Sequence, residues 1–215
     1  MSKQIANHIK AVVFDFDDTL VGTIEAKWAA HKHVAKKYYG KELSDDDIRP
    51  HWGVPLRTLV GLLYGDTDLD RAMEREAACN RDFPKVIFDE TVATLQAIKQ
   101  SGKPIAIVTA TSRRNLENDL DITGIPRELI DYTQTEDDTS YHKPDPRVFE
   151  PTIAWLSSLS IQPSEALYVG DGVHDMKAAL GAGFEFIGVA TGLVTQDDFR
   201  LHGAKSIQTL GQLIK

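Results

Sequence analysis

The sequence predicts an α/β fold: a doubly wound parallel sheet with a small all-helical unit inserted after the first strand. Short apolar runs, AVVF (11–14), IAIVT (105–109), ALYVGD (166–171) and FEFIGVA (184–190), show no alternating polar face. That is the pattern of strands buried on both sides. From residue 89 onward these runs alternate with amphipathic segments of helical length, the mark of βαβ units and a parallel sheet. Residues 23–85, by contrast, read as helix after helix with no strand pattern. The expected organisation is a core built from residues 1–22 and 86–215, with a helical domain at 23–85.

Each element has its own local signal. Gly22 gives a flexible exit from the first strand. Trp28, Val34, Ala35 and Tyr38 form an apolar stripe that predicts a helix over 25–39, and Gly40 stands where a left-handed C-terminal residue is expected. Ser44 before Asp45, Asp46 and Asp47 reads as an N-cap with a first turn that complements the helix dipole. Pro55 opens a helical segment, LRTLVGLLY, that Gly65 ends. A further helix is expected over 69–83. In the second half, Asp89 is expected to cap a helix closed by Gly102, and 113–122 is expected to be a helix closed by Gly124. Residues 130–133 read as a weak strand and 134–142 as polar loop. Pro144 and Pro146 lead into a helix with Val148, Phe149, Ile153 and Leu156. Residues 175–182 read as a helix, and a capped helix starts near Thr195.

Composition narrows the functional classes. Of 215 residues, 42 % are hydrophobic, so a sizeable core can form. The formal net charge of −8 argues against nucleic acid and anionic membranes as partners. Cys79 is the only cysteine, which excludes an internal disulfide and makes a thiolate metal site implausible. The first ten residues hold no apolar signal core, and no run of 18 apolar residues occurs, so a cytoplasmic protein is expected.

The chemistry concentrates at strand ends. The first strand breaks into Asp15, Asp17 and Asp18, followed by Thr19. Open parallel sheets bind ligands at the carboxyl edge of their strands. Two carboxylates at i and i+2 repel unless a cation or a shared proton offsets them, and an all-oxygen donor set favours a hard ion such as Mg²⁺. Thr109, Lys143 and the pair Asp171 and Asp175 follow the other strands to the same rim. Four carboxylates against one lysine make a cluster that is costly to desolvate without a metal ion. A cation with Lys143 would also let an anionic carboxylate approach a phosphate. Read singly, Thr109 could be a helix cap, Lys143 a solvated charge and Asp175 the N-cap of its helix.

DFDDTL, the Thr of IAIVT, the Lys of HKPDP and GDGVHD together resemble the four ordered motifs of the haloacid dehalogenase superfamily, in the style of its phosphoglycolate phosphatase and β-phosphoglucomutase branch. The resemblance covers nearly the whole chain and implies a Rossmann-like core with a helical cap. It also implies roles. Asp15 would be the nucleophile that forms an aspartyl-phosphate, and Asp17 the general acid and base, oriented by Thr19. The Thr109 hydroxyl and the Ala110 backbone N–H would hold phosphate oxygens, and Lys143 would neutralise Asp15 and phosphate. Asp15, the Asp17 backbone carbonyl and Asp171 would ligate Mg²⁺, with Asp175 in or near the coordination shell. Asp18 and His142 stand where Gly is frequent in the family. Asp18 is expected to face solvent, and His142 and His174 are read as structural.

Asp17 favours an oxygen leaving group over halide, hence phosphoryl transfer. The expected activity is a phosphatase acting on a small phosphorylated metabolite, in a monomer or homodimer. A phosphosugar mutase of the same superfamily is the alternative. A signalling phosphoacceptor domain is the alternative from another class, though such domains carry the modified Asp on a middle strand and have no cap. HWGVPLRTL (51–59) resembles the cap specificity loop of related phosphatases and makes Arg57 and His51 candidates for a substrate's polar tail. Trp52 is read as core or interface.

Overall fold

The computed structural model describes residues 5–214 apart from residues 53, 55 and 81. The chain divides into two compact units, Thr23–Val86 and Met1–Gly22 with Ile87–Lys215.

The larger unit starts with β1 (Ala11–Phe14), and the chain leaves it after β2 (Val21–Gly22). The smaller unit holds α1 (Ile24–Tyr39), α2 (Asp45–Ile48), α3 (Leu56–Tyr64) and α4 (Leu69–Asn80). The chain returns through β3 (Val86–Ile87), which pairs with β2. There follow α5 (Thr91–Gln100), β4 (Ile105–Val108), α6 (Arg113–Thr123), β5 (Tyr132–Gln134), a 3₁₀ turn at Pro146–Phe149, and α7 (Glu150–Ser158). The chain closes with β6 (Ala166–Gly170), α8 (Val173–Gly181), β7 (Glu185–Val189), α9 (Gln196–Leu201) and β8 (Ser206–Ile207).

The sheet is parallel, in the order β5-β4-β1-β6-β7-β8. Strand alternation sends successive side chains to opposite faces, so each strand feeds two cores. Val12, Phe14, Ile107 and Val169 pack on one face with Leu95, Ile98, Leu116 and Leu120 from α5 and α6. Ala11, Val13, Val108 and Tyr168 pack on the other with Leu156, Met176, Ala179 and Phe199 from α7, α8 and α9. This two-sided burial is why the strand runs carry no polar alternation. Helices on both faces of a parallel sheet are the doubly wound architecture read from the sequence.

Several element ends differ from expectation for identifiable reasons. β5 starts at Tyr132 rather than residue 130, because pairing sets its register: Tyr132 stands opposite Ala106 and Gln134 opposite Val108. Asp131 serves that junction instead, accepting from the Ile105 N–H at 2.8 Å. α4 ends at Asn80, short of residue 83; Pro84 disfavours helical backbone at the residue before it. The N-cap of α5 is Glu90, not Asp89, and its side chain makes no cap bond. Residues 136–138 form a 3₁₀ turn capped by Thr135 inside the segment expected to be loop. Two-residue β8 carries no readable periodicity and adds a sixth strand.

Within the smaller unit, Gly40 has φ 63° and closes α1 as expected. Tyr38 is 37 % exposed and does not belong to the buried stripe of α1, which His31 joins instead. Ser44 caps α2 through a reciprocal bond with Asp47. Pro55, expected to open α3, lies outside the described residues. Trp52 packs edge-on against Trp28, with ring centroids 5.8 Å apart. A buried polar cluster joins three helices: His31 Nδ1 lies 2.9 Å from the Tyr64 hydroxyl, which donates to Glu76 Oε2 at 2.8 Å. Among the described residues no helix is long and apolar enough to cross a membrane.

Candidate active site

β1 lies between β4 and β6, so its carboxyl end is flanked by two other strand ends. The Asp15 N–H donates to Val169 O at 2.8 Å and carries the β1–β6 ladder one residue past the strand. Asp15, an odd-numbered residue, continues the face of Ala11 and Val13. On that face it meets Lys143, whose Nζ donates to Asp15 Oδ1 at 2.6 Å and to Val108 O at 3.2 Å, and lies 2.8 Å from Asp175 Oδ1.

Asp175 is fully buried and densely bonded. Besides Lys143 it accepts from the Tyr168 hydroxyl at 3.2 Å and from the Gly172 N–H at 3.0 Å. It is the third residue of α8, whose N-cap is Gly172, so it is not itself the N-cap. Gly170 makes its approach possible: a Cβ there would stand 2.7 Å from both Cβ and Cγ of Asp175. One carboxylate oxygen from each of Asp15, Asp171 and Asp175 falls within 4.8 Å of the others. Asp15, Lys143, Asp171 and Asp175, from three distant stretches of sequence, thus meet at one place.

Electrostatics follow from this crowding. Burial pushes the Asp15 carboxyl up to about 7, against the pull of Lys143 and with added repulsion from Asp175 and Asp17. Burial likewise raises Asp171 well above the usual carboxylate range, reinforced by Asp175, Asp15 and Asp18. Asp175 lies below its ordinary value despite complete burial, because Lys143, His174 and the Gly172 N–H outweigh desolvation. Lys143 is held well above the normal lysine value, burial being overcome by Asp15 and Asp175. When all three carboxylates ionise against one ammonium, negative charge is in excess, and their oxygen-only donor set suits a hard divalent cation.

Asp17 is bonded differently. The Thr111 hydroxyl donates to its Oδ2 at 2.7 Å, and the Thr109 hydroxyl reaches the same oxygen at 3.4 Å. Thr19 does not take the expected part: its hydroxyl is buried and has no hydrogen-bond partner among the described residues. Asp18 is a second correction. It is buried, not solvent-facing, in the left-handed region at φ 53°, and its carbonyl accepts from the Thr191 hydroxyl at 2.5 Å. That backbone conformation suits Gly and is tolerated by Asp. Thr109, Ala110, His142 and Lys143 line one small cleft. His174 is exposed, with Nε2 3.6 Å from Asp175 Oδ2. In the smaller unit, Arg57 is exposed and paired with Asp70 at 2.7 Å, and His51 ends a 3₁₀ turn at Arg49–His51.

Sequence reading missed Thr111, Tyr168 and Thr191. Thr111 looks like an ordinary entry to α6, Tyr168 like a core aromatic, and Thr191 like loop. The spacing T-x-T after a buried strand was the one available signal for Thr111.

Comparison with known proteins agrees with this geometry. The family model described as haloacid dehalogenase-like hydrolase matches residues 12–189. Pyrophosphatase PpaX of Bacillus velezensis is 35 % identical over 184 residues, covering 85 % of this chain and 83 % of that protein. A structure from Bacteroides fragilis, provisionally named a haloacid dehalogenase-like hydrolase, is 28 % identical with a TM-score of 0.78, covering 96 % of this chain and all of the other. A Thermotoga maritima structure, provisionally named a beta-phosphoglucomutase, shares the fold at a TM-score of 0.82 and 22 % identity, covering 95 % and 96 %. The strand-end carboxylates, the parallel sheet and a match spanning most of the sequence lead to one assignment: the chain belongs to the haloacid dehalogenase-like hydrolases.

Proposed function

We propose that the protein is a Mg²⁺-dependent phosphatase that hydrolyses a small phosphorylated molecule through a phosphoaspartate on Asp15. The observation that carries this reading is the contact of Lys143 with Asp15 and Asp175, beside Asp171 and within the reach of one ion. Asp15, Asp171 and Asp175, with the Asp17 carbonyl, are the groups that would hold Mg²⁺. When bound, the ion supplies positive charge that lowers the Asp15 carboxyl and offsets the phosphate dianion.

The residues divide the remaining work. An Asp15 carboxylate oxygen attacks phosphorus, the bond to the leaving oxygen breaks, and Asp17 gives that oxygen a proton. Water then attacks the phosphoaspartate and loses a proton to Asp17. The bond from phosphorus to Asp15 breaks, inorganic phosphate leaves, and the carboxylate is restored. Lys143 neutralises Asp15 and the transferring group, while the Thr109 hydroxyl and the Ala110 N–H hold phosphate oxygens in their shared cleft. With a net charge of −8, the molecule draws an anionic substrate only through such local positive charge.

The relative named a pyrophosphatase makes inorganic pyrophosphate the first substrate to test, followed by phosphorylated small metabolites. The assay is phosphate release with and without Mg²⁺, using Asp15→Asn as control. Release that needs Mg²⁺ and disappears in the variant is expected. Undiminished release by Asp15→Asn would refute the reading. Conversion of a sugar 1-phosphate to its 6-phosphate without free phosphate would reassign the enzyme as a mutase.

A further inference from the structure

The Thr109 hydroxyl has too many tasks for its single proton. It accepts from the Thr111 N–H at 3.0 Å, approaches Asp17 Oδ2 at 3.4 Å, and is the group assigned above to a phosphate oxygen. A hydroxyl donates once. At 3.4 Å its contact with Asp17 is near the limit of a hydrogen bond, whereas the Thr111 contact at 2.7 Å has the length of a charge-assisted one.

From this we infer that Thr111 is a positioning residue for the general acid. Its hydroxyl holds Oδ2 of Asp17, fixes the rotation of that carboxyl and frees the Thr109 proton for the substrate. Thr111 is itself held from its backbone. Its carbonyl accepts from the Glu136 N–H at 3.3 Å, and the next turn is tied by the Arg113 N–H to Asp137 Oδ2 at 2.8 Å. The β4–α6 loop is thus braced against the 136–138 turn, and the hydroxyl is presented at a fixed place. The inference rests on the phosphatase reading, with Asp17 as acid.

The test is leaving-group dependence. A poor leaving group, an alkoxide, needs a proton in the transition state, whereas an acidic nitrophenol does not. Thr111→Val keeps the shape and removes the hydroxyl; Thr111→Ser restores it. The readout is the ratio of kcat/KM for an alkyl phosphate to that for 4-nitrophenyl phosphate. In Thr111→Val that ratio should drop by about tenfold or more, a part of what general acid catalysis contributes. It should drop the same way in Asp17→Asn, and Thr111→Ser should recover most of it. A ratio unchanged in Thr111→Val, whether or not overall activity falls, overturns the inference, because a role in folding or phosphate binding would affect both esters alike. A fall that Thr111→Ser does not recover overturns it too. If Asp15→Asn still releases phosphate, the parent reading fails; if only the Thr111 ratio is flat, that reading stands and this one falls.

Discussion

Gly192 packs against the carboxylate of Asp171 so closely that any side chain at position 192 would collide with it. The Gly192 loop follows β7 and also brings Thr191 to the Asp18 carbonyl. This loop therefore sets where Asp171 can stand. Gly192→Ala should displace the Asp171 carboxylate and weaken Mg²⁺ activation by about 10- to 100-fold, as for other groups that orient metal ligands. The Mg²⁺ concentration giving half-maximal activity measures this, with the thermal midpoint as a check on folding.

Lys143 contacts two buried carboxylates, Asp15 and Asp175. Lys143→Met should cost about 3–5 kcal/mol at pH 8, because it strands buried negative charge. The loss should shrink near pH 5.5. Asp15 lies at about 7 even with Lys143 present, and without that partner it titrates higher, so at low pH it becomes neutral and needs no counter-charge. Urea unfolding of wild type and variant at both values measures the difference.

Proton competition should govern Mg²⁺ binding. The Asp15 carboxyl is raised from 3.8 to about 7, and Asp171 is raised as well, so the metal-free native state holds more protons than the unfolded chain in this window. Their contribution to stability is present at low pH and is lost as pH rises through about 7. Asp175, lowered by Lys143 and His174, works in the opposite sense at more acidic pH. Mg²⁺ affinity should therefore increase as pH rises from about 6 to 8. Calorimetric titration in buffers of different ionisation enthalpy should detect a proton released on binding at the lower pH and little at the higher.

A second buried network lies in the helical unit. The Tyr64 hydroxyl gives its one proton to Glu76, so His31 must donate from Nδ1 to Tyr64. Glu76 lies below its ordinary value despite the burial that opposes it, because His31 and Tyr64 hold its charge. Tyr64→Phe breaks both links and should destabilise by about 1–3 kcal/mol. The effect should be largest above the ordinary glutamate range and fade as acid protonates Glu76. Denaturant midpoints across pH measure it.

How far residues announce their own roles varies with the kind of information each role needs. Strands buried on both faces, helix ends at Gly40 and Gly124, and the acids at strand ends follow from local composition, and the sequence carries all of these. Asp15 and Asp171 were legible because an uncompensated charge directly after a strand has few structural uses; Lys143 and Asp175 were legible only through their place in the ordered motifs. Thr111 and Tyr168 were not, since their partners lie 94 and 7 residues away and neutral hydroxyls are common in loops and cores. The expected bond from Thr19 to Asp17 failed for a related reason. Position relative to a turn does not reveal where a hydroxyl points when the preceding residue, as at Asp18, adopts an unusual backbone conformation.

The place of β1 in the sheet has a dynamic consequence. Amides of Val12, Val13 and Phe14 are hydrogen-bonded within the ladders on either side of an interior strand, and opening them requires disruption of neighbouring strands. Fraying at the outer strands β5 and β8 can loosen the sheet margins while Asp15, at the end of β1, keeps its position. On heating, inactivation should thus coincide with cooperative collapse of the whole larger unit rather than with an earlier, partial transition.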